Sequence, residues 1–208
     1  MYPDLGRNVA YNNFSLLEVT EQFELSLSGS PFCQDLPVAV PSELFLAIFK
    51  EWFPLAQQAR SEKAKSELLI SPVLLEVRKL VHNSVELFSG EEFSVDRERG
   101  LNGFCDFLLS KSTTPYLIEA PVVMLVEAKR GELDLGLGQC IAQMVAAQLF
   151  NVTKGRAIPV IYGSVTSGRL WQFLKLEGKN VTIDANEYQI TPVERILGIL
   201  KWMIEGQS

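Results

Sequence analysis

Histidine and cysteine are scarce in this sequence. The 208 residues include one histidine, His82, and three cysteines, and no two cysteines form a Cys-x-x-Cys pair. Zinc sites of the usual kind need clustered Cys and His ligands, and disulfide frameworks need an even set of cysteines. The scarcity argues against both. It also argues against hydrolases that use a histidine base or a Gly-x-Ser-x-Gly turn, a motif that the chain lacks.

Long apolar runs and an excess of positive charge are missing as well. The longest apolar runs, such as Ala120–Val126, fall well below the roughly 18 residues of a membrane-spanning helix. The N-terminus has no basic stretch followed by an apolar one, as a signal peptide would. We therefore expect a cytoplasmic protein with no membrane partner. The net charge of −6 argues against tight, autonomous nucleic-acid binding, because phosphates attract local positive charge.

The pattern that is present is that of a folded α/β protein with a central mixed sheet flanked by helices. Residues 1–57 are expected to form an N-terminal helical extension and residues 58–208 the main domain, and the two are expected to make one compact unit. Ser42 is a plausible N-cap for one helix of the extension. The periodicity predicts helices in 13–25, 41–59, 60–83, 137–152 and 191–206, with a break at Ser71-Pro72 inside the third of them. It predicts one strand each in 104–110 and 116–130 and two strands in 158–183. Residues 26–41 are predicted as a loop or extended connector and residues 131–138 as a loop.

Three residues stand where metal-dependent chemistry would need them. Asp106 lies near the start of one predicted strand, and Glu127 and Lys129 end the next, 21 residues later (127 − 106). Residues two apart on a strand project to the same face, so the two carboxylates converge on one point if the strands pair. Carboxylate oxygens suit Mg²⁺ or Mn²⁺. A lysine beside them can orient a water or stabilise charge on an attacked phosphate.

The alternative is that Glu127, Lys129 and Arg130 only solvate the end of a strand. Glu-x-Lys pairs are common in proteins, and a bare pair favours that interpretation. Here the pair follows the wholly apolar run Val122–Val126, comes after an aspartate on the preceding strand and precedes an amphipathic helix. This context favours the metal-site interpretation.

The runs GLNGFCDFLLS, VVMLVEAKR and GLGQCIAQMVAAQ resemble the core of the PD-(D/E)XK, or restriction-endonuclease-like, nuclease superfamily. In that family an Asp on one strand precedes a (D/E)-x-K on its hairpin partner, and a helix then packs across the sheet. The resemblance implies Asp106 and Glu127 as metal ligands and Lys129 as the catalytic lysine. Cys105 stands where the family often has proline, the least constant position of its pattern.

The resemblance also implies further site residues on two helices. The run SEKAKSELLISP resembles the helix that opens the nuclease domain of type I restriction motor subunits, where a glutamate before a Leu-Ile-x-Pro turn helps to bind the metal. That glutamate aligns with Glu62, and Glu67 and Glu76 are rivals. Downstream, Gln139 and Gln143 share one helix face, and some nucleases of the superfamily place such a glutamine near the metal or phosphate. Ordinary helix polarity explains this pair equally well.

Together these features predict a Mg²⁺- or Mn²⁺-dependent nuclease that hydrolyses DNA phosphodiester bonds. Asp106, Glu127 and Glu62 are the predicted metal ligands, Lys129 assists the attacking water, and Gln143 completes the catalytic set. The alternative is a catalytically silent protein of the same fold that binds nucleic acid or a protein partner. DNA is the expected partner. A homodimer remains open, because cutting two strands needs two active sites, and the N-terminal extension would then either cap the sheet or join the dimer.

Overall fold

The centre of the fold is a strand that is buried along its whole length. In the computed structural model, which describes residues 10–206, strand β4 (Val122–Ala128) is buried at all seven positions. An apolar run without polar alternation predicts such a strand, and this prediction is confirmed. β4 lies between β3 (Phe104–Ser110), which runs antiparallel to it, and β5 (Ile161–Thr166), which runs parallel to it.

These strands belong to a mixed sheet. The other strands are β1 (Ser26–Gly29), β2 (Glu86–Glu92), β6 (Leu170–Glu177), β7 (Asn180–Ile183) and β8 (Tyr188–Gln189). Their order is β1-β7-β6-β5-β4-β3-β2, and β8 pairs with β6. The predicted α/β fold with a central mixed sheet flanked by helices is confirmed.

Helices cover both faces of the sheet. They are α1 (Leu16–Phe23), α2 (Glu43–Gln58), α3 (Glu62–Lys65), α4 (Ser71–Leu80), α5 (Asp134–Thr153) and α6 (Val193–Glu205). Apolar residues of α1 and α5 pack on one face, and those of α2, α4 and α6 pack on the other. Each layer buries an apolar helix stripe against the sheet, which is how such a fold excludes water from its core.

The segment before residue 58 is not helical throughout. Residues 26–29, in a stretch predicted as a loop or connector, form β1, which pairs in parallel with β7 at one edge of the sheet. α1 and α2 lie on opposite faces of the sheet. Ser42 is the N-cap of α2, as predicted, and its side chain accepts a hydrogen bond from the backbone N–H of Phe45. The boundary at residue 57 stays a prediction.

Helix α5 differs from its predicted form in start and burial. It begins at Asp134, inside the stretch predicted as a loop, and most of its residues are buried rather than one face alone. The reason is that the segment leading into α1 lies over it: a Cβ on Gly138 would stand 2.3 Å from the carbonyl oxygen of Phe14. α5 is also long and apolar enough to cross a membrane, but 67% of its apolar window is buried in the protein, which is typical of a core helix.

Two other segments differ from their predicted form. Residues 158–183 hold three strands rather than two, because a second tight turn separates β6 from β7. Around Pro72 the predicted break is a π turn over Ser66–Ile70, which joins α3 to α4 in one continuous helical segment. Proline has no N–H to donate and disrupts regular α-helical hydrogen bonding, and a π turn is one way for a helix to pass such a point.

Candidate active site

Neighbouring strands carry the two predicted carboxylates. In the antiparallel β3–β4 pair, Phe107 lies opposite Val126. Continuing that register by one residue places Asp106 opposite Glu127, and residues directly opposite each other project to the same face. The Asp106 Oδ2 atom also accepts a hydrogen bond of 2.8 Å from the backbone N–H of Ala128. Asp106 is therefore anchored to the strand that carries Glu127.

Glu127 is the most deeply buried charged group of the site. Its side chain is 2% exposed, and the Lys129 Nζ atom lies 2.7 Å from its Oε1 atom. Burial, reinforced by the charge of Asp106, raises the pKa of Glu127 to about 8, while Lys129 and a hydrogen bond from Gln143 act in the lowering direction. The burial of this carboxyl therefore disfavours its charged form even with the Lys129 ammonium beside it.

Lys129 is held in place from three directions. Its backbone N–H donates to the carbonyl oxygen of Thr166 over 2.8 Å, which ties the residues after β4 to the end of β5. Its ammonium donates to the Gln139 Oε1 atom over 2.9 Å as well as to Glu127. A Cβ on Gly136 would stand 2.9 Å from the Lys129 Cγ atom. The absence of a side chain at Gly136 lets the first turn of α5 pack against this lysine, a role that the sequence pattern did not reveal.

The two glutamines of α5 face this site. The Gln143 Nε2 atom donates to the Glu127 Oε2 atom over 3.0 Å, and Gln143 is completely buried. Its Oε1 atom has no hydrogen-bond partner. A buried acceptor without a partner is unfavourable by about 1–3 kcal/mol, and a ligand or a water that donates a hydrogen bond to this atom would remove that cost. The structure thus places Gln139, Gln143, Glu127 and Lys129 in one hydrogen-bonded group.

The three glutamates of the upstream helical segment have different surroundings. Glu76 is 5% exposed, and its carboxylate accepts hydrogen bonds from the backbone N–H and hydroxyl of Ser42, so it supports the start of α2. Glu67 is exposed and pairs with Lys63 at 3.0 Å. Glu62 lies half-buried in the first turn of α3. Its role as a metal ligand stays a prediction.

The donor set decides which metal this group would suit. Within residues 10–206, no three His, Cys, Asp or Glu side chains are gathered where they could hold one ion. What lies together is a pair of carboxylates with the unpartnered amide oxygen of Gln143 beside one of them. Oxygen-only donors suit Mg²⁺ or Mn²⁺ better than the Cys and His ligands of a usual zinc site would.

Two cysteines flank the carboxylates and were not anticipated as neighbours of the site. Cys105 and Cys140 are both buried. Burial, followed by the charge of Glu127, raises the pKa of each thiol well above its ordinary value. Both thiols therefore stay protonated at neutral pH. Because a metal ligand must be the thiolate, neither cysteine competes with the carboxylates for a cation.

No protein-family model matches the chain, and no curated protein matches it at a significant level. The chemistry is therefore inferred from the arrangement of the side chains described above.

Proposed function

We propose that this protein is a divalent-metal-dependent nuclease of the PD-(D/E)XK kind, with a restriction-endonuclease-like core, that hydrolyses DNA phosphodiester bonds. The observation that carries the proposal is the pairing of Asp106 and Glu127 on antiparallel neighbours, with the Lys129 ammonium on the Glu127 carboxylate. A helix then packs across β4 and β5 and adds Gln143 to the same carboxylate. This order of strand, partner strand and helix agrees with the resemblance found in the sequence.

The electrostatics support a cation between the two carboxylates. A buried glutamate whose pKa is raised to about 8 by desolvation and by a second carboxylate is unfavourable as an anion. A divalent ion held by Asp106 and Glu127 would place positive charge beside the carboxyl and so favour its ionised form. The unpartnered Gln143 Oε1 atom is one more oxygen within the same group.

Each side chain then has a distinct task in the reaction. When bound, Mg²⁺ or Mn²⁺ would supply Lewis-acid polarisation of the phosphodiester group. Asp106 and Glu127 hold that charge at the end of β4. Lys129, tethered by Gln139, orients the attacking water and stabilises the negative charge that develops on the phosphate oxygens. Gln143 keeps the Glu127 carboxylate in position.

A second candidate is a silent protein of the same fold that binds nucleic acid or a protein partner. One observation favours it: both oxygens of Glu127 already accept hydrogen bonds, from Lys129 and from Gln143. No third acidic ligand joins this pair among the residues that the structure describes. Under this second candidate the lysine substitutes permanently for the cation, and the protein binds no divalent metal at this site.

Cleavage assays with matched variants test the proposal. The substrates are supercoiled plasmid and single-stranded circular DNA, with Mg²⁺ or Mn²⁺. Asp106→Asn and Lys129→Met are each expected to lower the rate at least about 100-fold, which is the lower range of what a positioned catalytic group contributes. Lys175→Met is the matched control, because Lys175 also pairs with a glutamate two residues away on a strand, at 2.7 Å from Glu177.

The outcomes separate the two candidates. Cleavage that is lost in both site variants and retained in Lys175→Met supports the nuclease. Cleavage that persists in Asp106→Asn assigns the activity to another source and refutes the site. If the wild type cleaves nothing and Mn²⁺ binding is also absent by electron paramagnetic resonance, the silent candidate replaces the nuclease. The cytoplasmic location and a homodimer belong to the same proposal, and analytical ultracentrifugation measures the latter.

A further inference from the structure

Three segments of the chain meet at the end of β4 where the site lies. The residues after β4 are tied to the end of β5 by the hydrogen bond from the Lys129 N–H to the Thr166 carbonyl. The turn between β5 and β6 follows at once, and Gly168 in this turn has a φ of +80°. A Cβ built on Gly168 would stand 3.7 Å from the Lys65 Cβ atom. The start of the helical segment α3–α4 therefore lies against this turn.

Each of these segments carries a basic residue at this place. Lys65 ends α3, Arg130 directly follows Lys129, and Arg169 directly follows Gly168. Arg130 and Arg169 are exposed and Lys65 is half-buried. Within residues 10–206, no ion pair involves any of these three side chains.

The position of these residues distinguishes them from the other cations of the protein. Eight ion pairs join Lys or Arg to Asp or Glu in the described residues, and further cations such as Lys154 and Arg156 are in none of them. Lys65, Arg130 and Arg169 differ from those because the fold brings their three segments together at the end of β4. The acidic Glu132 and Asp134 follow Arg130 in the chain, at the start of α5, and bound the positive surface on that side.

We propose that Lys65, Arg130 and Arg169, here called the basic rim, hold the phosphate backbone of DNA across the end of β4. This inference rests on the proposed nuclease function and adds to it where the substrate lies. When phosphates of the DNA backbone bind to the basic rim, a phosphodiester group between them lies at Asp106 and Glu127. The rim thereby gives a protein of acidic composition a local surface that neutralises phosphates.

The chemistry of the rim determines what kind of binding to expect. Contacts to phosphates carry no sequence information directly, so we expect binding through the basic rim to be independent of sequence. Each phosphate neutralised on duplex DNA contributes about 0.9 to the slope of log affinity against log salt concentration. Loss of all three contacts therefore lowers that slope by about 2 to 3 and weakens binding at least about tenfold near 100 mM salt.

Binding is measured apart from cleavage in an Asp106→Asn background. The probe is a fluorescently labelled DNA duplex of 20 base pairs, and its anisotropy is recorded from 50 to 200 mM salt with no divalent cation. The rim variant carries Lys65→Gln, Arg130→Gln and Arg169→Gln together. We expect it to show the loss of affinity and of salt slope given above. Circular dichroism and a thermal melt establish that the variant is folded.

The matched control removes the same charge at the opposite end of β4. Lys111, Lys154 and Arg156 line a surface cleft of about 550 Å³ together with Ala120, just before that strand begins. Replacing these three by glutamine is expected to leave affinity and slope within twofold of the parent. Equal losses in both triple variants, an unchanged rim variant, or no DNA binding by the parent would each overturn the basic rim.

The proposed function and the basic rim fail in distinguishable ways. Suppose that the three rim substitutions, made in the otherwise wild-type protein, leave plasmid cleavage and its KM unchanged, while Asp106→Asn does not cleave. The nuclease then stands and the rim is wrong. Suppose instead that the wild type cleaves nothing with any metal, but DNA binding depends on the rim. The rim then stands, and the protein is the silent binder.

Discussion

Replacing Glu127 by glutamine tests the electrostatics of the site without any substrate. Glu127 is 2% exposed, and burial, with the charge of Asp106 second, raises its pKa from 4.5 to about 8. In the unfolded chain the same carboxyl ionises near 4.5. The unfolded state therefore loses this proton first. The contribution of Glu127 to stability is fully present below pH 4.5 and is lost as the pH rises to about 8.

The size of the effect follows from the pKa difference. A change from 4.5 to about 8 corresponds to about 5 kcal/mol, at roughly 1.4 kcal/mol for each pKa unit. Water that enters the site when the carboxyl ionises lowers this value. We expect the unfolding free energy of Glu127→Gln to gain about 3–5 kcal/mol relative to the wild type between pH 5 and pH 9, because glutamine does not ionise.

The assay is urea unfolding at each pH, followed by tryptophan fluorescence, since Trp171 is completely buried. Titratable groups that do not interact with Glu127 cancel in the difference. Glu177→Gln is the control: Glu177 also pairs with a strand lysine at 2.7 Å, but its side chain is 44% exposed. Adding Mg²⁺ is expected to flatten the pH dependence of the wild type alone. A Glu127→Gln difference that stays constant within about 0.5 kcal/mol from pH 5 to 9 would refute the reasoning.

Three further predictions concern the packing around the site. Gly138→Ala should destabilise the protein by about 1–3 kcal/mol, because its Cβ would stand 2.3 Å from a backbone oxygen of the N-terminal segment, whereas Gly29→Ala meets nothing within 4 Å. Asn151→Leu should cost about 2–5 kcal/mol in urea unfolding, because the Asn151 side chain bonds both backbone groups of Val122, at 2.7 and 2.8 Å. All three cysteines are buried, with the pKa of each thiol raised by that burial, so a thiol reagent at pH 8 should modify them only as fast as the protein unfolds.

Clear outcomes would contradict these three predictions. Equal stability of Gly138→Ala and Gly29→Ala would mean that the N-terminal segment does not pack on α5. An Asn151→Leu variant as stable as the wild type would mean that the start of β4 is hydrogen-bonded by other groups. Thiol modification at the rate of a free cysteine, without denaturant, would mean that the cysteines are accessible in the native state.

Local periodicity accounts for the elements that the sequence alone determined. The unbroken apolar run of β4 predicts a strand with two buried faces, and the alternation of side chains predicts that Glu127 and Lys129 share one face. A hydroxyl before an apolar helix stripe predicts the N-cap Ser42, which the structure confirms. These features depend on residues within a few positions of one another, so one sequence is enough to read them.

The site, in contrast, depends on contacts between distant segments. The spacing of Gln139 and Gln143 predicts a shared helix face, but only the packing of α5 on β4 decides that this face meets Lys129 and Glu127. The local sequence pattern around Glu76 also allowed this residue to be a metal ligand. Only the fold shows that its carboxylate bonds to Ser42, 34 residues earlier in the chain.

The tertiary structure alone decided the surroundings of the candidate site at Glu127 and Lys129. The sequence places Lys65 and Arg169 more than a hundred residues apart, and the fold brings their segments together through Gly168. It likewise makes β1 an edge strand by pairing it with β7, far along the chain. The physical reason is that side-chain periods of 2 and 3.6 residues specify which face an element buries, whereas the partner that covers this face depends on the path of the whole chain.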